Sequence, residues 1–198
     1  IHHKLKSHRV ANEKEFDGLP VPQFRNRLAI NKDDLLLLTV GSLNGAKGHL
    51  EVARAFELAH LNRPATLILN GNLPQRSIKG RVWQFLWELF HGRLPLCLLI
   101  KKIHWLNKAK KRIILCDLPR QDLVDAFKSS DLFVFASHIE YSPLVLFESV
   151  AAGTPFLSVP VGNAEEISTW TGGGVICTSP IDRYGSLRPN PLFLASEI

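Results

Sequence analysis

The chain of 198 residues contains no methionine, so no start residue is visible in it. Its first residues, IHHKLKSH, resemble neither a signal peptide nor a transit peptide. No apolar run reaches the roughly 18 to 20 residues that a helix needs to cross a bilayer. We therefore expect a piece of a longer polypeptide that lies in the cytoplasm and does not span a membrane.

The sequence also lacks the usual patterns for metal ions and disulfides. Cys97, Cys116 and Cys177 are widely spaced and form no CxxC pair, and the eight histidines show no HExxH spacing. Widely spaced cysteines without a ligand pattern are typical of buried, reduced thiols in a cytoplasmic protein. We predict no metal site and no cofactor.

What is present is the composition of a globular protein, with 45% hydrophobic and 21% charged residues. The apolar runs DLLLLTVG, ATLILNGN, RIILCDLP, DLFVFAS, PFLSVPVGN and GGGVICT alternate with helical patterns. Continuous apolar runs are typical of parallel strands that are covered on both faces. The sequence therefore predicts an α/β fold with a doubly wound, Rossmann-like parallel sheet.

This pattern also suggests how the domain is bounded. Residues 1–33 mix charges, glycine and proline without a period, and we interpret them as an interdomain linker with one short helix. Residues 34–198 form the α/β domain, with an insert at 74–110. The pattern fades near residue 180, so we expect the chain to stop before a closing helix.

The net charge of +6 comes from one segment. Residues 74–112 hold ten Lys or Arg residues against a single acid, Glu88. One interpretation is a pair of helices that pack on the sheet with their lysines in water. The other is an interfacial patch that binds an anionic membrane through tryptophan and basic side chains. Nucleic acid is not expected as a partner, because no recognition motif accompanies the charge.

A glycine-rich loop, GSLNGAKG, follows the first strand at residues 41–48. Glycine permits close backbone approach, helix N-terminal amides are free, and Lys47 adds a positive charge, so the loop suits a diphosphate. It is neither a Walker A loop nor a GxGxxG fingerprint, because Gly48 stands where Walker A requires Ser or Thr. A plain solvated turn is the alternative.

Two carboxylates, Glu140 and Glu148, lie eight residues apart in the stretch HIEYSPLVLFESVAAGTP. The first is predicted at the carboxyl end of a strand and the second about two turns into the following helix. Open α/β sheets bind ligands at that edge. Taken alone, the pair is equally well explained as a helix cap and a surface residue, and a general acid/base pair is also conceivable.

The order of these segments resembles the carboxyl-terminal, nucleotide-sugar-binding domain of retaining glycosyltransferases with the GT-B fold, family 4. The stretch LLLLTVGSLNGAKGHLEVARAFELA is similar to that family's first strand, glycine loop, KG pair and helix. The stretch KSSDLFVFASHIEYSPLVLFESVAAGTPFLSVPVGNAEEI is similar to its E-x(7)-E signature with the segments that follow. The resemblance covers roughly residues 30–178.

The resemblance implies roles for particular residues. Lys47 would neutralise the donor diphosphate, and Glu140 would hold hydroxyls of the transferred sugar. The donor-binding residues it implies are Gly41, Ser42, Lys47, Leu118, Glu140, Leu144, Val145 and Glu148. The resemblance implies that the loop at Leu118 would lie against the base, that the amides of Leu144 and Val145 would face the phosphates, and that Glu148 would bind the ribose. The family needs no metal ion, and no DxD motif is present.

The implied function is transfer of a sugar from a nucleotide-diphosphate sugar to a glycan or lipid-linked acceptor, as in polysaccharide biosynthesis. The half of such an enzyme that binds the acceptor is not in this chain, so we expect the chain alone to be inactive. Ser42 stands where the family commonly has arginine, and Tyr141–Pro143 replace a glycine-containing turn. These departures leave open a non-catalytic nucleotide-sugar-binding or regulatory module, and a sugar-nucleotide epimerase of similar architecture is a third hypothesis.

Overall fold

The structure is a computed structural model that describes residues 14–18, 22–43, 45–72, 95–106, 110–183 and 186–198. A 3-10 turn (Lys14–Phe16) and α1 (Pro22–Arg27) precede β1 (Leu35–Val40). The elements that follow are α2 (His49–Leu58), β2 (Ala65–Asn70), α3 (Leu96–Leu106), β3 (Lys111–Cys116), α4 (Arg120–Ser129), β4 (Leu132–Phe135), α5 (Leu144–Ala151), β5 (Phe156–Ser158), α6 (Ala164–Thr171), β6 (Gly174–Ile176) and α7 (Pro191–Glu197).

The described strands form one six-stranded parallel sheet in the order β3-β2-β1-β4-β5-β6. Strand β1 pairs with β2 along its whole length and with β4 through Leu37↔Leu132 and Leu38↔Phe133. Every residue of β2 is buried, and so are five of the six in β1. The predicted doubly wound parallel sheet is therefore confirmed, and its apolar runs are the central strands.

The helices pack in two groups, as expected for layers on both faces of such a sheet. Helix α2 contacts α3 and α7, while α4 contacts α1 and α5, and α5 contacts α6. A row of aromatic rings continues the core on the side of α4, where the Phe127 and Phe133 centroids lie 5.1 Å apart. Phe16 meets Phe127 edge to face at 6.2 Å.

Both ends of the described chain pack on the α/β body. A helix that the sequence pattern did not predict, α7, packs on α2, and Asn190 caps it by accepting a hydrogen bond from the Leu192 amide. Before residue 33, Phe16, Phe24 and Ile30 are buried in the main core. The described residues of the predicted linker thus pack on the domain, and the boundary at 33 stays a prediction.

The basic segment is only partly described, and two of its charges serve the fold. Lys111 donates to the carbonyls of Phe56, Glu57 and Ala59 at 2.7 to 2.8 Å, which satisfies the free carbonyls at the end of α2. Arg112 donates to the Leu28 carbonyl at 2.7 Å. The predicted helix within residues 78–92 lies outside the described residues, whereas the second apolar stretch forms α3 as expected.

Arg25 joins α1 to the α/β body. Its guanidinium donates to the carbonyls of Ser129 and Asp34 at 2.9 Å and pairs with Asp131, and its side chain is 16% exposed. Asp131 also accepts from the Leu36 amide at 2.7 Å, at the start of β1. One cation thus fixes α1, the end of α4 and the first residues of β1.

We predict that Arg25→Met lowers the free energy of unfolding by about 2 to 3 kcal/mol, because partly buried carbonyls and Asp131 lose a charged donor. Urea unfolding followed by circular dichroism measures the change. Arg63→Met is the matched control, since Arg63 makes one long bond of 3.4 Å to the Asp33 carbonyl at an exposed site. It should change stability by less than about 0.5 kcal/mol, and equal losses for both variants would contradict the assignment.

Candidate functional site

The candidate site lies at the carboxyl edge of the sheet, where the loops after β3, β2, β1 and β4 follow one another in space. The strand order reverses between β1 and β4, because β1 is flanked by β2 on one side and by β4 on the other. Open α/β sheets bind ligands in the crevice at such a switch point. The glycine loop and Glu140 flank this crevice.

The glycine loop is held against the end of β4. Gly48 has a φ of 71°, and a Cβ there would lie 1.9 Å from the carbonyl oxygen of Ala136, so only glycine fits. The His138 amide donates to the Ala46 carbonyl at 2.8 Å, and the hydroxyl of Ser137 donates to the same carbonyl at 3.1 Å. The loop after β1 therefore has a fixed position relative to the loop after β4.

Lys47 and Glu140 meet across this junction. The Lys47 ammonium donates to Glu140 Oε1, and the two side chains are 27% and 19% exposed. The Ser137 hydroxyl lies 3.4 Å from the same carboxylate oxygen. An ammonium has three N–H donors, so Lys47 keeps donors for a second anion while it holds Glu140. The pair is accessible to a ligand. It is also partly shielded from water, so its charges are screened less than charges at the surface.

Asn70, at the end of β2, links the neighbouring loops. Its backbone carbonyl accepts from the Gly41 amide at 3.1 Å, and its side-chain oxygen accepts from the Leu118 amide at 2.8 Å. His49 Nε2 lies 3.3 Å from the same backbone carbonyl, and burial lowers the pKa of His49, so the ring is neutral at pH 7. One residue thus sets the position of the glycine loop and of the predicted base-binding loop.

The turn after Glu140 is fixed by the loop after β5. A Cβ on Gly162, whose φ is 57°, would lie 2.6 Å from the carbonyl oxygen of Tyr141, and the Asn163 amide donates to that oxygen at 3.2 Å. The Tyr141 side chain itself is 93% exposed. The turn between Glu140 and α5 is therefore held by its backbone, while the Tyr141 side chain is exposed to solvent.

Helix α5 begins at Leu144 with Pro143 at the N-cap, and no side chain of the described residues caps it. The amides of Leu144 and Val145 therefore lack a side-chain acceptor, as an anion site at a helix N-terminus requires. Glu140 does not cap this helix, so the interpretation of Glu140 as a helix cap is wrong. These two amides and Lys47 come from the two loops that border the crevice.

Glu148 lies in the second turn of α5 and has a partner of its own. Its Oε1 accepts from Arg120 Nη1 at 2.7 Å, and its side chain is 22% exposed. Arg120 is the first residue of α4 and directly follows the loop of Leu118. The two glutamates of the signature are thus engaged by different cations, Glu140 by Lys47 and Glu148 by Arg120.

The structure brings Gly41, Ser42 and Lys47 onto one loop and Glu140 beside it, with Leu144 and Val145 next along the chain. Leu118 joins them through Asn70. Sequence reasoning missed Asn70, Ser137 and Arg120, and it missed the pair of His138 Nε2 with Glu51 Oε1 at 3.3 Å. Asn70 could have been found from the sequence, because it is a polar residue at the end of a buried strand.

Within the described ranges, no group of three His, Cys, Asp or Glu side chains is arranged to hold a metal ion. The three cysteines are free, but Cys97 is exposed, so the expectation of buried thiols is wrong for that residue. Burial and the neighbouring Asp117 raise the pKa of the Cys116 thiol to about 11. That thiol is protonated at neutral pH and a poor nucleophile.

The fold is a Rossmann-like domain, and Lys47, Glu140 and the N-terminus of α5 lie at its switch point. A family model described as glycosyl transferases group 1 matches residues 20–184. The chain therefore belongs to the glycosyl transferases group 1 family, which confirms the resemblance in its broader form. A search of curated protein sequences found no match.

Solved structures share the fold at low sequence identity. HepE of Anabaena in complex with UDP and glucose is 17% identical with a TM-score of 0.64, covering 93% of this chain and 43% of that one. Sucrose-phosphate synthase of Thermosynechococcus elongatus is 23% identical with a TM-score of 0.60, covering 88% and 39%. WaaG, a glycosyltransferase involved in lipopolysaccharide biosynthesis, is 20% identical with a TM-score of 0.55, covering 83% and 40%. The chain spans about two fifths of the length of each.

We predict that Gly48→Ala destabilises the chain by at least about 3 kcal/mol, because the new Cβ collides with the Ala136 carbonyl. Gly45→Ala is the matched control, since Gly45 has a φ of 86° but nothing within 4 Å of an added Cβ. It should cost only about 1 kcal/mol, the strain of a positive φ. Thermal unfolding of both variants measures the difference, and similar losses would show that the contact with β4 is unimportant.

Proposed function

We propose that this chain is the donor-binding, carboxyl-terminal half of a retaining glycosyltransferase of family 4 with the GT-B fold. It moves a sugar from a nucleotide-diphosphate sugar to a glycan or lipid-linked acceptor without a metal ion. The observation that carries the proposal is the meeting of Lys47 and Glu140 at the switch point, beside an α5 N-terminus with no side-chain cap. Membership of the family supports the same reaction class.

In this proposal the diphosphate is the leaving group, and its charge grows as the bond to the sugar breaks. Lys47 and the amides of Leu144 and Val145 stabilise that charge from two sides, with Gly41 and Ser42 lining the same loop. Fixed donors are effective here because they need no reorganisation as the charge develops. The contacts of Gly48 and Ala46 with the end of β4 supply that rigidity.

The two glutamates bind different parts of the donor. Glu140, on the loop beside Lys47, accepts hydrogen bonds from hydroxyls of the transferred sugar, and Glu148 accepts from the ribose. Leu118 lies against the base, and its amide is already used by Asn70. The base therefore meets the remaining groups of that loop. The structures of HepE with UDP and of trehalose-6-phosphate from E. coli bound with UDP-2-fluoro glucose contain uridine nucleotides, which makes UDP the first probe.

The acceptor belongs to a part of the enzyme outside this chain. The chain spans about two fifths of its solved relatives, and we propose that an amino-terminal domain binds the acceptor and completes the cleft. The chain alone is then a binding domain without turnover. WaaG acts in lipopolysaccharide biosynthesis, and a polysaccharide or lipid-linked glycan is the corresponding acceptor class proposed here.

We predict that the chain binds UDP or GDP in isothermal titration calorimetry with EDTA present, and that Lys47→Ala and Glu148→Ala each weaken binding about tenfold. Loss of a charged hydrogen bond of roughly 1.4 kcal/mol corresponds to that factor. Glu140→Gln should leave the binding of the free nucleotide near the wild-type value, because Glu140 is assigned to the sugar.

Lys102→Ala is the matched control for Lys47→Ala, since Lys102 forms a comparable pair with Glu57 at 2.7 Å away from the crevice. It should leave nucleotide binding unchanged. The proposal fails if neither nucleotide binds at millimolar concentration, or if the Lys47 and Glu148 variants bind like wild type.

We further propose that the protein sits on the cytoplasmic face of a membrane as a peripheral protein. At the end of α3 and before β3, Trp105 is 74% exposed, Leu106 is 55% exposed, and Lys101 and Lys110 are exposed. Exposed tryptophan beside lysine is typical of binding to anionic interfaces. Strand β3 starts here, so this patch lies at the amino edge of the sheet, opposite the candidate site. Among the described residues, no helix has the length and hydropathy to cross a membrane.

We predict that vesicles of phosphatidylserine and phosphatidylcholine float the protein at low salt, and that Lys101→Gln with Lys110→Gln abolishes flotation. Lys111 is left intact, because it caps α2. Arg183→Gln with Arg188→Gln removes the same charge from the loop after β6 and should still float. Equal flotation of all three proteins would discard the membrane patch.

A further inference from the structure

Arg120 is a basic residue at the candidate site to which no role has been given so far. It opens α4 immediately after the loop of Leu118, and its Nη1 donates to Glu148 Oε1 at 2.7 Å. The other side of its guanidinium contacts Glu15, with Nη2 at 2.8 Å and Nε at 2.9 Å from Oε2. The group also lies over the Phe16 ring, 5.5 Å from its centroid.

These contacts fix the orientation of the guanidinium plane. The planar fork of arginine donates in fixed directions, so two carboxylates on opposite sides and one ring beneath determine its orientation. Phe16 is itself buried, 5% exposed, and packs against Phe127 of α4. Burial opposes the charge on Arg120, but Glu148 and Glu15 outweigh it and raise its pKa, so the group is cationic.

The pairing leaves Glu148 able to bind a ligand. A carboxylate has about four lone-pair sites, and Arg120 occupies one of them on Oε1. Among the described residues no other side chain donates to this carboxylate, so Oε2 and the remaining sites can accept from hydroxyl donors. Without Arg120, the carboxylate would rotate about its side-chain torsions and lose free energy on each binding event when it is ordered.

We propose that Arg120 is the positioning residue for Glu148 and that Glu15 holds Arg120 in place for this role. The proposal rests on the assignment of Glu148 to the ribose of the donor. It links the amino-terminal segment that carries Glu15 and Phe16 to nucleotide binding at α5. Arg120 acts through Glu148 and makes no contact with the nucleotide.

This role has a signature that a structural role or a phosphate contact lacks. If Arg120 orients Glu148 toward ribose hydroxyls, loss of Arg120 weakens the binding of only those nucleotides that carry these hydroxyls. A nucleotide such as 2′,3′-dideoxy-UDP has no ribose hydroxyl that could donate to Glu148. Loss of Arg120 should therefore leave its affinity unchanged. A cation that contacted the diphosphate would matter equally for both nucleotides.

The experiment is calorimetric titration of the chain with UDP and with 2′,3′-dideoxy-UDP, and in parallel with GDP and its dideoxy analogue. Arg120→Ala should weaken UDP binding about fivefold, which is in the lower range for a charged hydrogen bond at a half-exposed site. It should leave the binding of the dideoxy nucleotide unchanged. Arg120→Lys keeps the charge but not the fork and should recover part of the loss. Glu15→Gln, which retains the Arg120–Glu148 pair, should weaken UDP less than Arg120→Ala does.

Arg27→Ala is the matched control. Arg27 also joins an amino-terminal element to α4, with Asp122 at 2.9 Å and the Phe24 ring at 5.8 Å, but it contacts neither signature glutamate. It should bind both nucleotides like wild type. Thermal unfolding of each variant, with Glu15→Gln as the milder change, confirms that the folded state is retained.

Three results would overturn the inference: equal weakening of UDP and dideoxy-UDP by Arg120→Ala, tighter UDP binding by that variant, or no effect of it on UDP. In each case Glu148→Ala still reports on the site itself. If Glu148→Ala weakens UDP selectively while Arg120→Ala does not, the positioning role fails and the proposed function stands. If wild type binds neither nucleotide, both fail.

Discussion

The pairing of β1 with β4 is the constraint on which the candidate site depends. These strands are distant in sequence but adjacent in the sheet, and their carboxyl ends carry the glycine loop and Glu140. Because Gly48 contacts the Ala136 carbonyl directly, the two loops cannot separate without loss of close packing. The ion pair of Lys47 with Glu140 is therefore a consequence of strand order, and it forms where opposite loops converge.

The sequence was sufficient for the fold because its strands are buried on both faces and read as continuous apolar runs. It was also sufficient for the positions of Lys47, Glu140 and Glu148, which follow strand ends and a helix start. It failed for α7, because this helix of seven residues, which begins at Pro191, is too short to show a helical periodicity. It also missed Asn70 and Arg120, since their roles depend on which loop lies within 3 Å in space, and periodicity along the chain carries no such information.

The basic segment shows why charge in a sequence has more than one physical meaning. Lys111 and Arg112 contribute to the high isoelectric point, yet they donate to carbonyls at the end of α2 and at Leu28. A partly buried ammonium that donates to three carbonyls stabilises a helix end and has no N–H donor left for an external anion. Lys101, in the preceding helix α3, and Lys110, the residue before Lys111, are both exposed. Neighbouring residues of the same type therefore divide between internal and external roles, and only contacts distinguish them.

The packing of α7 on α2 has a consequence for the order of events during synthesis. Helix α2 follows the glycine loop and is made before five of the described strands, whereas α7 is made after the six described strands. Ribosomes add about 5 to 20 residues per second, so on the order of ten seconds separates the two helices. During that interval one face of α2 has no partner from α7 to cover it. The nascent chain must keep that apolar face from other partners until α7 emerges.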